Sequence, residues 1–208
     1  MQSWGCASKF DVRRDTAREP SKSGVLGLVA AALGIGRAED ARIRELAKLR
    51  FGVRVDQEGQ LLRDFHTARA QGIKNPSVTN RYYLSDAVFV AGLESDDAEL
   101  LGHIAEALRN PVFPLYLGRR SCPPMGRSFL DIVPEPLEKA LREYPCQAKG
   151  RKPTRLLLDA NPNQRGGLVR DVPVSWNPTL RLHAFRYVTE IHIGREESAE
   201  HNPFAELE

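Results

Sequence analysis

The segment from Gly24 to Ile35, GVLGLVAAALGI, constrains the fold most. At helical spacing it is apolar nearly all round, so as a helix it has no face to offer water and must be covered by other elements. Ser21 or Ser23 is placed to cap its start, and Gly34 and Gly36 to stop it in a left-handed turn. The remaining chain must supply the cover. A length of 208 residues can build one substantial core, as one domain or one domain with a smaller appended lobe. Hydrophobic residues at 41% and charged residues at 27% argue against disorder.

Residues 40–49 predict a second, amphipathic helix, with Ile43, Leu46 and Ala47 at helical spacing. Phe51 to Asp56 alternates with period two, Glu58-Gly59 is a turn signal, and Gln60 to Phe65 returns as a second strand. His66 to Asn80 is polar, holds Gly72 and Asn75-Pro76, and lacks a core pattern, which predicts a projecting loop or ribbon. Arg81 to Leu93 reads as one strand, with Tyr83, Val88 and Val90 as core candidates. Asp96 is placed to cap a helix over 97–108 whose face is Leu100, Leu101, Ile104, Ala105 and Leu108. A short helix over 136–144, a strand over 155–160, a Gly166-Gly167 turn and a strand over 182–193 complete the chain. Helices recurring between strands suit an α+β fold with a split βαβ unit of ferredoxin type. Trp4, beside a glycine, is expected in the core.

Several chemistries are poorly served. Cys6, Cys122 and Cys146 are widely spaced and form no CxxC pair, and the five histidines show no tight metal spacing, so neither a disulfide framework nor a metal site is expected. No GxxxxGK[ST] or GxSxG occurs, Gly24-Val-Leu-Gly is a poor dinucleotide loop, and no cofactor is expected. The longest apolar run is too short to span a bilayer and no signal peptide is recognisable, so the expected setting is the cytoplasm, away from membranes. The net charge of +3 is mild, but an acidic tail from Glu196 to Glu208 masks a more basic body.

Three segments could hold an anion. Arg63, Arg69, Lys74 and Arg81 face a lone acid, Asp64, with His66, Tyr82 and Tyr83 beside them. A cationic ribbon with ring neighbours can follow single-stranded RNA, since cations pair with phosphates and rings stack on bases. A solvated hairpin is the plainer alternative. Leu117-Gly-Arg-Arg-Ser-Cys joins Arg119 and Arg120 to Ser121 and Cys122 in a stretch without acids, and reads as an anion cradle or a surface turn. Ser21-Lys22-Ser23 offers a helix start with a cation, for a phosphate or for plain capping. His66 with Lys74 and Tyr82 could in principle cut RNA by metal-independent acid–base chemistry.

Four blocks in order resemble the CasD-type subunits of type I-E CRISPR Cascade, within the RAMP superfamily. They are Gln2-Ser-Trp-Gly5, Ser21-Lys-Ser-Gly-Val-Leu-Gly-Leu28 through Leu33-Gly-Ile35, Leu62-Arg-Asp-Phe-His-Thr67, and Tyr116-Leu-Gly-Arg-Arg-Ser-Cys-Pro123. Arg81-Tyr-Tyr-Leu-Ser-Asp-Ala87 falls in register between the last two. The resemblance implies a modified ferredoxin-like (RRM-like) palm over 1–118, a thumb inserted at about 66–80, and a C-terminal β-rich region over 119–208. It implies a non-catalytic subunit that grips and caps the 5′ handle of the guide RNA (crRNA), for defence against phage and plasmid DNA. It also implies contacts with a backbone subunit and a large subunit, and only indirect contact with target DNA. The Ser21–Ser23 and Arg119–Cys122 positions match family segments near the handle. Repeat-RNA cleavage, found in related type I-C subunits, is the alternative activity. Relatives carry an opening strand ahead of the Gln-x-Trp-Gly block; its absence here predicts an unpaired palm edge.

Overall fold

A computed structural model describes residues 1–5, 13–69, 77–161 and 164–193. Cys6, Lys74 and the acidic tail named above lie outside them. In chain order the elements are β1 (Arg13–Arg14), α1 (Lys22–Ala32), α2 (Asp40–Ala47), β2 (Arg50–Gln57), β3 (Gln60–Ala68), β4 (Ser77–Ser85) and β5 (Val88–Glu94). There follow α3 (Ala98–Arg109), α4 (Leu137–Glu143), β6 (Arg155–Asp159), β7 (Gly167–Ser175) and β8 (Leu182–His192).

The apolar helix forms as its sequence demands. Ser21 caps α1 by accepting the Gly24 N–H, and Gly34 adopts a φ of +72° just past its end. Leu26, Val29 and Ala30 then pack with Ile43 and Leu46 of α2, Ile104 of α3 and Trp176 at the end of β7. Burying a leucine such as Leu26 contributes about 1.5–3 kcal/mol. The cap of α3 is Asp97, one residue later than expected, accepting from Leu100 N at 2.9 Å.

Five strands form one antiparallel sheet in the order β5-β2-β6-β8-β7. Strands from both sides of position 118 thus share it, because β6 pairs directly with β2; the C-terminal strands do not stand apart as a separate sheet. Alternation along β2 splits its neighbours. Gly52 and Arg54 face α4, with Val90, Leu156 and Leu158 beside Leu137 and Leu141. Gly52 and Gly92 sit opposite one another in register, and a Cβ on either would come within about 2.6 Å of a leucine methyl. Those two glycines form the floor on which α4 lies. The opposite face of β6 carries Asp159, which receives Lys22 from the start of α1.

Two expectations about strands are corrected. Residues 81–93 are not one strand: Asp86, at φ 57°, breaks them, so the chain before it belongs to a separate three-stranded sheet of order β1-β4-β3. Tyr83 and Val90 are buried as expected, while Val88 is half-buried. The span 167–175 carried no strand expectation, yet it forms β7, whose alternation is interrupted by bulges at its pairing with β8.

Candidate nucleic-acid interface

β3 and β4 pair from Gln60↔Ser85 to Ala68↔Ser77 as a ribbon inserted between the end of β2 and the start of β5, with the short β1 along the outer side of β4. The pairing sorts the side chains. Leu61, Arg63 and Phe65 share one face with Val78, Asn80 and Tyr82, because directly opposed residues lie on the same side. Phe65 is 61% exposed and Leu61 65%. Arg63 donates from Nε to Asn80 Oδ1 at 3.0 Å, which orients the guanidinium beside the exposed ring. This face combines an oriented cation, an amide, one ring open to solvent, Phe65, and the half-buried ring of Tyr82.

The other face carries Asp64, His66, Thr79 and Arg81. His66 Nε2 contacts Asp64 Oδ2, and both side chains are well exposed. Arg81 sits opposite Asp64, and its Nε is buried without a hydrogen-bond partner among the described residues. Such a donor costs about 1–3 kcal/mol when left so. Arg69 lies exposed just after β3, and Lys74 lies outside the described residues.

The Arg119–Cys122 loop meets the root of this ribbon. Leu117 N donates to Cys122 O at 2.7 Å and Cys122 N to Arg119 O at 2.9 Å, closing a tight turn at Gly118, whose φ is +86°. A Cβ at Gly118 would overlap the Ser3 carbonyl oxygen. Arg119 does not project outward. It donates to Tyr82 O and Asp15 O, both at 3.3 Å, and its guanidinium lies 5.0 Å from the centre of the Tyr83 ring. Ser121, exposed, approaches the Tyr83 hydroxyl at 3.3 Å, whereas Cys122 is buried at 1% exposure. Cys122 is therefore a core residue rather than part of an anion cradle. Arg120 is exposed and has no ion pair or hydrogen bond among the described residues.

Ser21, Lys22 and Ser23 all have partners within the fold. Ser21 is spent on the cap. Lys22 is buried, its Nζ 3.0 Å from Asp159 and its backbone N–H 2.7 Å from Asp171. Arg186 bridges the same two carboxylates at 2.7 and 2.6 Å, so two cations and two anions close on one another inside the fold. No positive charge is left over for a phosphate. Ser23 accepts from Trp176 Nε1 at 3.2 Å and meets His183 Nε2 at 3.1 Å.

The N-terminal block links these pieces. Gln2 pairs with Leu84 through both backbone groups, Ser3 N donates to Leu117 O and its hydroxyl to Tyr82 O. Trp4, buried as expected, packs against Gly24 at the start of α1. Ribbon root, loop and helix start are thereby held by three consecutive residues. Sequence reasoning missed Phe65, although the alternation Leu61-Arg63-Phe65 carried the signal for it.

The chain is a mixed fold of helices laid on an antiparallel sheet, with a second, three-stranded sheet inserted between β2 and β5. Over 92% of its length the chain is similar to a crystal structure of a Cas protein, at 43% identity and a TM-score of 0.73, covering 89% of that chain. It is equally similar in fold, at 30% identity and a TM-score of 0.73, to a chain of a CRISPR RNA-guided surveillance complex, covering 92% of this chain and 85% of that one. The family model described as CRISPR-associated protein (Cas_Cas5) matches residues 1–189, and the chain belongs to that family. Among its relatives is the CRISPR system Cascade subunit CasD of Escherichia coli (strain K12), 34% identical over 164 residues, which span 69% of this chain and 72% of CasD.

Proposed function

We propose that this chain is a non-catalytic subunit of a type I-E CRISPR surveillance complex that binds and caps the 5′ handle of the crRNA. The observation that carries the reading is the ribbon face on which Arg63, Phe65, Asn80 and Tyr82 lie together. Stacking on exposed rings tolerates any base, and an oriented guanidinium suits a backbone phosphate. Arg81, Arg120 and Ser121 extend the cationic and hydroxyl surface towards the ribbon root and Arg69 towards its tip, while Ser21, Lys22, Ser23, Arg119 and Cys122 are engaged within the fold. In this reading β2 and β5 belong to a ferredoxin-like palm and the ribbon that leaves and re-enters the sheet between them is its thumb. A backbone subunit and the large subunit are the protein partners, target DNA is met only through them, and the cytoplasm is the setting. No helix among the described residues is long and apolar enough to cross a membrane.

One observation favours a second activity, metal-independent cleavage of repeat RNA. His66 and Asp64 form a paired imidazole and carboxylate opposite Arg81, an arrangement capable of proton transfer beside a phosphate-seeking cation. The two readings separate in one experiment. The chain is co-purified with its neighbouring subunits and a repeat-derived transcript, and the bound RNA is sequenced. It is also incubated alone with repeat RNA in EDTA. Retained handle without cutting supports the binding subunit; specific cutting that a His66→Ala variant abolishes supports the nuclease.

A further inference from the structure

Two short crossings join the ribbon to the five-stranded sheet: Glu58-Gly59, between β2 and β3, and Asp86-Ala87, between β4 and β5. They touch one another. Gln57, at the end of β2, donates from Nε2 to the Asp86 carbonyl. Asp86 holds a φ of 57°, and a Cβ at Gly59 would lie 2.8 Å from the Ala87 Cβ. The neck is therefore two chains wide, and a few φ/ψ changes in residues that end strands suffice to bend it. Sheet pairing does not oppose such bending, because among the described residues no strand of one sheet pairs with a strand of the other.

Gln2 spans this neck. Its backbone N–H and carbonyl pair with Leu84 near the end of β4, both at 2.8 Å, which places it on the ribbon side. Its side-chain Nε2 donates to Ala87 O at 2.9 Å, one residue ahead of β5. Its Oε1 accepts from Trp4 Nε1 at 3.0 Å, and the Trp4 ring is buried against Gly24 at the start of α1. An indole nitrogen can only donate and a backbone carbonyl can only accept, so the two partners demand both halves of one amide. Gln2 is half-buried, so bonds lost there are not fully replaced by water. Ser3 and Arg119 also grip the ribbon root, at Tyr82 O, and tie it to Leu117 and Asp15.

We propose that Gln2 is the positioning residue of the ribbon: its amide, bonded across the neck, sets the angle between the ribbon and the five-stranded sheet, and thereby where the Arg63–Phe65 face meets nucleic acid. The inference rests on the reading of that face as the RNA contact. Held at one angle, the face presents its cation and ring together to a bound strand. Left to swing, it presents them correctly only part of the time, and apparent affinity falls by the fraction of molecules correctly set. Glutamate at position 2 could accept from Trp4 but not donate to Ala87 O, and methionine, of similar length, could do neither.

The test compares the full chain with its Gln2→Met and Gln2→Glu variants. Residual dipolar couplings of backbone amides report how the two sheets are oriented, which a merely stabilising role would not alter. In the unsubstituted chain one alignment tensor is expected to fit β3 and β4 together with β2, β5 and β6. In Gln2→Met the ribbon and the five-stranded sheet are each expected to need their own. Anisotropy with a fluorescein-labelled oligouridylate is expected to show Kd rising about three- to tenfold in Gln2→Met, and less in Gln2→Glu, which keeps the Trp4 bond. One tensor for both sheets in Gln2→Met would overturn the inference, whatever the change in Kd. Separate tensors with an unchanged Kd would keep Gln2 as the strut and sink the reading of the ribbon face as the RNA contact. Were Gln2→Met not to fold, Gln2→Glu carries the same comparison, because it removes only the bond to Ala87.

Discussion

Arg54 and Asp56, two residues apart on one face of β2, are fully buried and bonded to each other twice, Nε to Oδ1 at 2.6 Å and Nη2 to Oδ2 at 3.0 Å. The guanidinium also donates to the carbonyls of Leu141, Tyr144 and Pro145, while Asp56 accepts the Gln147 N–H. The pair therefore terminates α4, occupying carbonyls that a helix end leaves unsatisfied. Asp56→Ala strands a buried guanidinium and is predicted to lower stability by about 3–5 kcal/mol. For a chain of this size that lowers Tm by on the order of 10 °C. Urea unfolding of the two proteins checks it; a difference under about 1 kcal/mol would show the pair to be dispensable.

Lys22 distinguishes an internal ion from a phosphate ligand. Lys22→Met removes one of the two cations on Asp159, while Asp171 keeps Arg186 and the backbone N–H of residue 22, and the expected cost is about 3 kcal/mol, as for breaking a buried pair. RNA retention by the folded fraction should be unchanged. Loss of RNA with unaltered unfolding would instead return Lys22 to the binding surface.

Gly118 combines a positive φ with a close approach to Ser3. Gly118→Ala is predicted to cost at least about 2 kcal/mol, because the strained backbone and the overlap with a carbonyl cannot both relax. Since Ser3 also bonds to Leu117 and Tyr82, faster amide exchange should spread from residue 118 to the N-terminal block and the root of β4. Exchange confined to the loop would contradict that coupling.

His183 makes stability depend on pH. Desolvation first, then Arg181 and Arg170, hold it below its ordinary value of 6.5, so the unfolded chain binds its proton more readily than the folded one. The contribution is complete above about pH 6.5 and shrinks as pH falls below that value. Between pH 7.5 and 5.5 the urea midpoint of the unsubstituted chain should fall further than that of His183→Gln. Equal shifts would mean that the ring titrates as it does in water.

The fold was legible where local chemistry and packing agree. α1, with its Ser21 cap and glycine stop, follows from twelve nearly continuous apolar residues, and Trp4 and Tyr83 were recognisable as core. The break at Asp86 was not legible, because a lone aspartate at positive φ interrupts a run that otherwise alternates as one strand. β7 was obscured by its bulges, which shift the period-two pattern that marks a strand. For the site, composition found the ribbon and the Arg119–Arg120 loop but not which charges are spent. The Lys22 ammonium pairs with Asp159 and its backbone N–H with Asp171, 137 and 149 residues away in sequence, and Arg119 donates to the carbonyls of Asp15 and Tyr82. Such long-range partners leave no local trace.

The ribbon carries the central claim, and RNA retention by paired substitutions on its open face measures it most directly. The complex is purified with unsubstituted chain, with Arg63→Ala/Phe65→Ala, or with Arg120→Ala, and guide RNA per complex is quantified after a salt wash. The ribbon pair is predicted to weaken handle binding by about tenfold to a hundredfold, from one lost stack and one lost charge-assisted contact. Arg120→Ala is predicted to weaken it less, with a lower salt slope. Full retention of an intact handle by the Arg63→Ala/Phe65→Ala complex would contradict the account.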